Sequence, residues 1–289
     1  MKTKFKKATG HGNHWGCLGE STEEMIKKFI PLTIAHGKLG AQVQRVGRWF
    51  DMPKPAEERL AAIIHTPERL GCMVILVSDQ RTKRNSLLTA YPYAKPVGKH
   101  SIKLDEIRDW GNETEAVLVC NGDKAQVAFF DTHYYENQDR YTTGETYDFA
   151  LAGLIYMARC TNDETFQTTD QEVLKKTYAA WGEEPKRLAD GSIAPITHTL
   201  AGCTGLAGRS EDYPEDAEFY CIIKAVAEFD LEGIHIYQIT PEPGEDADVP
   251  MPGVIFGAAS AFENGYIPKV GDSIGGGLWM QGCLVPDHE

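Results

Sequence analysis

The chain has 289 residues, of which 42% are hydrophobic and 25% charged, values that exclude a disordered or fibrous protein. That length predicts two domains, with room for a small third. The net charge of −13 hides a split: residues 1–99 carry 17 Lys+Arg against 8 Asp+Glu, net +9, which leaves 12 against 34, net −22, for residues 100–289.

Ser21-Thr22-Glu23-Glu24 reads as a capping box. It opens a helix with Met25, Ile26, Phe29 and Ile30 on one face, which Pro31 should kink or end. Residues 41–50 predict a second short helix, and Pro53 and Pro55 introduce a third over 56–65, with Leu60, Ile63 and Ile64 facing inward. The pattern then changes. Residues 72–77 read as a buried strand, 79–85 as a basic turn, and 86–91 as a second strand ended by Pro92 and Pro96. A boundary is expected near 94–110.

Beyond it, 115–120 and 125–131 predict a hairpin across Asn121-Gly122. A strand follows at 147–157, and Thr169-Asp170-Gln171-Glu172 caps a helix that runs to about residue 181. Residues 182–215 read as loop with one strand near 193–199. Further strands are expected at 218–229, 234–240, 253–260 and 274–284. The expected fold is therefore α+β: a small basic α+β head, residues 1–98, joined to an acidic, mainly antiparallel β body, residues 99–289. The body reads as a barrel or sandwich, an OB-like barrel among the options, and divides into at most two β units, about 99–180 and 181–289. Tyr141-Thr142-Thr143-Gly144-Glu145 and Pro268-Lys269-Val270-Gly271-Asp272 each place Gly-acid before a strand. Two related β units would produce this echo, and so would two similar turns, which is the simpler account.

The longest apolar run, residues 149–158, is about half of what crosses a bilayer, and the basic N-terminus lacks an apolar signal-peptide core. The seven cysteines are odd in number and form no C-x-x-C pair. These features predict a cytoplasmic protein with reduced thiols, no membrane partner, no metal site and no cofactor. Gly275-Gly276-Gly277 lacks the Lys-Ser/Thr of a phosphate loop.

The pointed chemistry lies in the head. Ala35-His36-Gly37-Lys38 is followed by Arg45 and Arg48, and the head closes on Leu88-Thr89-Ala90-Tyr91-Pro92. Metal-free RNA cleavage needs a base for the 2′-hydroxyl, cations for the phosphate and a donor for the leaving oxygen. His titrates near neutrality, and Arg donates two parallel bonds to phosphate. Strand alternation puts Thr89 and Tyr91 on one face. Over residues 33–93 these motifs resemble toxin nucleases of the barnase, EndoU, colicin and RelE-like group, in particular the RNase A-like tips of contact-dependent inhibition toxins. The resemblance implies a metal-independent endoribonuclease acting on tRNA or another structured RNA. His36 would be general base or acid, Arg45 or Arg48 would hold the phosphate, and Thr89 and Tyr91 would position it. Lys38, Arg81, Lys83 and Arg84 would grip the RNA backbone. The acidic body would be a fused regulatory or docking module.

Each residue also has a plain structural account. His36 suits a helix C-terminus, a basic turn is usually solvated, and Thr and Tyr favour strands. His11 and His14 fit a metal or nucleic-acid contact, or simply a mobile terminus. The 131–136 cluster of polar and aromatic groups fits a pocket or an ordinary strand-end loop. The second functional reading is a non-catalytic interaction protein of the immunity, anti-defence or virion-associated kind, which binds a basic protein partner through the acidic body.

Overall fold

The computed structural model describes residues 2–4, 11, 13–19, 21–47, 56–79, 84–112, 114–122, 125–243 and 250–286. The first part holds β1 (Lys2–Lys4), a 3-10 turn at Asn13–Cys17, α1 (Thr22–His36), β2 (Lys38–Gly47), β3 (Ala56–His65), β4 (Leu70–Asp79) and β5 (Asn85–Ala94). Then come β6 (Val97–Asp109), β7 (Ala116–Asn121), β8 (Gln126–Asp131), α2 (Tyr134–Asn137) and β9 (Thr146–Cys160). An inserted segment carries β10 (Thr165–Thr168), α3 (Gln171–Trp181) and β11 (Ile196–Thr199). The chain finishes with β12 (Gly205–Gly208), β13 (Asp216–Leu231), β14 (Ile234–Pro241), β15 (Val254–Ala258) and β16 (Ser273–Leu284). The α+β class holds, with strand dominant. Among the described residues no helix is long and apolar enough to cross a membrane.

Two of the expected helices are strands. Residues 41–47 fall in β2 and 56–65 form β3 of a four-stranded antiparallel sheet in the order β2-β3-β4-β5, and 48–50 lie outside the described residues. Leu60-Ala61-Ala62-Ile63-Ile64 is apolar throughout, so its period alone cannot decide between helix and strand. Pairing on both edges decides it: Leu60 lies opposite Val43 on one side and Val77 on the other, with Leu60 and Ala62 buried on one face. Helix α1 is capped as expected by Ser21, whose Oγ accepts from the Glu24 N–H at 3.3 Å, but it continues through Pro31 to His36. β5 likewise runs on through Pro92, which an edge strand tolerates because it pairs on one side only.

In the body, strand pairings close into two rings that share β9 and β16. One runs β6-β7-β8-β16-β9 and returns to β6; the other runs β13-β14-β15-β9-β16 and returns to β13. In each, three consecutive antiparallel strands are followed by a parallel pairing, β8 with β16 and β15 with β9. Each ring's fourth strand is the other's fifth. The sequence echo falls at equivalent points of this arrangement. The Gly144 N–H donates to Leu104 O (2.7 Å) and the Leu104 N–H to Glu145 O (2.9 Å); the Gly271 N–H donates to Ile223 O (2.9 Å) and the Ile223 N–H to Asp272 O (2.9 Å). Both glycines have positive φ, 95° and 88°. The two Gly-acid turns therefore have the same backbone geometry and sit at equivalent points of the two rings.

The ring core covers one face of β9 and β16 and the head covers the other, which is why they read as continuous apolar runs. Phe149, Leu151 and Ile155 face the ring core, while Ala152 and Leu154 join the core of the head, together with Phe130 and Trp279. That second core also contains Trp15, Phe29, Leu60, Val74 and Tyr91. The sheets change over at Lys95–Pro96, inside the expected 94–110 interval, but residues 1–98 and 99–289 do not have separate hydrophobic cores. Gly276 belongs to this seam: a Cβ there would overlap the Met157 carbonyl oxygen of the neighbouring strand.

Candidate functional site

A buried line of titratable groups lies where the N-terminal segment, the head and the body meet. Glu115, just ahead of β7, is buried, and Oε1 lies 2.5 Å from His11 Nε2. The Thr89 hydroxyl donates to the same oxygen at 2.9 Å, and the Asn112 side-chain amide donates to Oε2. Asn112 Oδ1 in turn accepts from the Thr114 and Glu115 N–H groups, each at 3.0 Å, which fixes the loop carrying the carboxylate. His11 Nδ1 meets His14 Nδ1 at 2.9 Å, so the chain of contacts runs carboxylate, imidazole, imidazole.

Aromatic rings enclose this line. His11 stacks on Trp110 at 4.7 Å with Phe130 edge-on at 4.9 Å, and His14 stacks on Trp279 at 3.9 Å and 11°. Burial pushes the His14 imidazole well below its usual range, and neighbouring His11 adds to this. Burial alone would raise the Glu115 carboxyl. The charge of His11 and the bonds from His11, Thr89 and Asn112 outweigh it and hold the group below its usual value. The composition is that of a proton relay, but His11, His14 and Glu115 are 4%, 7% and 3% exposed. The contacts bond His11, and through it His14, to the β6–β7 loop, and Thr89 of β5 joins them through Glu115.

The residues expected to catalyse are dispersed. Alternation does put Thr89 and Tyr91 on one face of β5, where both turn into the body. The Tyr91 hydroxyl donates to Thr132 O at 3.0 Å, with Met73 Sδ 2.8 Å away, and the ring is 1% exposed. His36 is the exposed last residue of α1, beside His65 at 6.3 Å, and the following Gly37 N–H caps the helix by donating to Thr33 O. Its neighbour Lys38, also exposed, begins β2 in register with Ile64, Met73 and Tyr91 across the sheet. Three strand spacings, on the order of 14 Å, separate that end of β2 from β5. Arg45 is in β2 opposite Glu58. Arg84 is exposed ahead of β5, on the order of 20 Å along the strand from Tyr91. Arg48, Arg81 and Lys83 lie outside the described residues. His36, Thr89 and Tyr91 therefore do not form one cleft.

Two other expectations change. His11 and His14 are packed inside, so a mobile terminus is the wrong account of them. The 131–136 cluster fixes the β8–β9 connection: buried Asp131 accepts from the Tyr141 hydroxyl at 2.6 Å and the His133 N–H at 2.9 Å. Burial raises its carboxyl to about 6. His133 and Glu136 pair at 3.3 Å. Glu115 carried no sequence signal beyond its place at a strand start. Among the described residues no group of three or more His, Cys, Asp or Glu is placed to hold a metal ion. No family model, curated protein or solved structure matches the chain.

Proposed function

We propose that the chain is a non-catalytic interaction protein that binds a basic protein partner through its acidic β body. The observation that carries this reading is the fate of Thr89 and Tyr91. Both hydroxyls are bonded to body atoms, Glu115 and the Thr132 carbonyl, and neither is offered to a substrate. The head thus serves as a structural layer over β9 and β16. The charge asymmetry remains as the feature that addresses a partner, since 34 acidic against 12 basic residues fall in 100–289. On β13 and its turn, Glu228, Asp230 and Glu232 are exposed at every second position, with Phe229 and Leu231 turned inward between them. Such a field steers a basic partner and repels RNA.

The test is titration of the intact chain with a labelled Lys/Arg-rich peptide and with an RNA oligonucleotide of equal length, at low and at high salt. The peptide should bind at low salt and weaken steeply as screening grows, while the RNA does not bind. RNA binding in preference to the peptide, or peptide binding indifferent to salt, would overturn the proposal.

A further inference from the structure

Strand β13 has strand neighbours on both sides for only half of its length. Over Asp216–Ile222 it pairs with β16, and the turn ahead of β16 continues that edge for one residue, where Gly271 and Asp272 bond Ile223. A register shift then falls between Ile223 and Ala225, an irregularity of the kind that bends a strand and ends its pairing. From Ala225 to Leu231, β14 is the only strand partner among the described residues.

The hairpin turn fixes which backbone groups are left over. Leu231 pairs with Ile234 across Glu232-Gly233, both at positive φ, 54° and 82°. A pair this close to its turn exchanges both hydrogen bonds, and alternation makes Phe229–Ile236 and Ala227–Gln238 bonded pairs as well. The N–H and C=O groups of Val226, Glu228 and Asp230 therefore point away from β14, to the side that β16 has left. Residues 226–230, on the order of 17 Å of strand, form an open sheet edge.

The charge on this edge selects what pairs with it. Val226, Glu228 and Asp230 share one face, and both acids are exposed. Glu228 Oε2 lies 3.2 Å from His235 Nε2 of β14, and Asp230 Oδ1 accepts from the Gly233 N–H at 2.7 Å, so both carboxylates are held beside the edge. Lys224, at the Ile223 end, is the one cation in residues 224–232. A second copy docked edge to edge about a two-fold axis would set Glu228 against Asp230, a repulsive like-charge pairing. A strand with Lys or Arg at every second residue instead places a cation directly opposite each acid. Its intervening residues then lie on the face of Ala227 and Phe229.

We infer that residues 226–230 of β13 take up an extended segment of a basic protein as an added strand. Its backbone bonds Val226, Glu228 and Asp230, and its alternate cations meet Glu228 and Asp230. This rests on the reading of the acidic body as the part that binds a basic partner, and adds the partner's conformation and its place. The probe is a labelled Lys-Val-Lys-Val-Lys-Val-Lys peptide, titrated into the full chain at low salt and followed by anisotropy. Two further forms carry backbone N-methyl groups, one on the lysines and one on the valines, so charge is kept and one alternate set of donors is removed. One methylated form should bind about tenfold or more weaker than the parent peptide, and the other should bind like it. Glu228→Gln combined with Asp230→Asn, with an unchanged melting temperature, should weaken the parent peptide about threefold or more. Equal binding of the two methylated forms, or unchanged affinity in the double variant, would overturn the added strand and leave binding of a basic partner by the acidic body standing. No binding by any of the three peptides would remove that broader reading as well.

Discussion

His11 Nε2 and Glu115 Oε1, 104 residues apart in sequence, lie 2.5 Å apart in the interior. The contact ties the N-terminal segment to the β body, with Thr89 of the head bonded to the same carboxylate oxygen. His11→Ala leaves that carboxylate buried beside a void. Loss of one partner of a buried pair costs roughly 3–5 kcal/mol, and urea unfolding should show a loss of that size. A loss below about 1 kcal/mol would mean that the pair does not hold the segment down.

The same network sets a pH dependence with a definite sign. His14 is held below the usual His value of about 6.5, so below that pH the unfolded chain takes up a proton that the folded chain refuses, and stability falls. Glu115 is also depressed. Its contribution is complete above the usual carboxylate value of about 4.3 and is lost as pH falls through its lower folded value. His14→Phe should therefore flatten the stability profile between about pH 6.5 and 5 relative to the parent chain. An identical slope in both proteins would contradict the buried, neutral state of His14.

Glu215 acts in the opposite sense. Burial raises its carboxyl to about 7, and its Oε2 has no hydrogen-bond partner. The folded chain keeps this proton where the unfolded chain has lost it, so Glu215 lowers stability as pH rises from about 4.3 towards 7. Glu215→Gln should gain relative to the parent between pH 5 and 8, by about 1.4 kcal/mol for each unit of the displacement removed. Equal pH profiles would contradict this.

How far these features could be read from sequence depends on their range. The strands of the body follow from local alternation and turn residues, and the Ser21 cap from four adjacent residues. Strands β2 and β3 were hidden because an unbroken apolar run such as residues 60–64 has no decisive period, and partners on both edges set its form. The sharing of β9 and β16 between two rings shows locally only as apolar runs. The resemblance of residues 33–93 to a nuclease rested on residue types in order along the chain. It did not register that β3 and β4 stand between His36 and Tyr91, or that the body closes over Tyr91. The Glu115 network joins three segments, and no single window contains it.

The shared core makes separation of the two parts unfavourable. A chain of residues 97–289 exposes Phe130, Leu154, Phe256 and Trp279, all buried in the whole protein. It should aggregate or bind a hydrophobic dye strongly, with red-shifted tryptophan emission. A soluble monomer with native-like emission would show that the head is dispensable to the body's fold.

The seam between the rings is equally specific. Gly276→Ala places a methyl against the Met157 carbonyl oxygen and should destabilise the chain by roughly 1–3 kcal/mol. Gly205→Ala, where nothing lies within 4 Å of the added Cβ, is the control and should change stability by no more than about 0.5 kcal/mol.

The most direct test of the functional account is incubation of the purified intact chain with total RNA in EDTA, alongside a His36→Ala variant. If the head is a structural layer over the β body, the parent chain leaves the RNA as intact as buffer does, and so does the variant. RNA cleavage by the parent that His36→Ala abolishes would contradict the account and restore the head as a catalytic module.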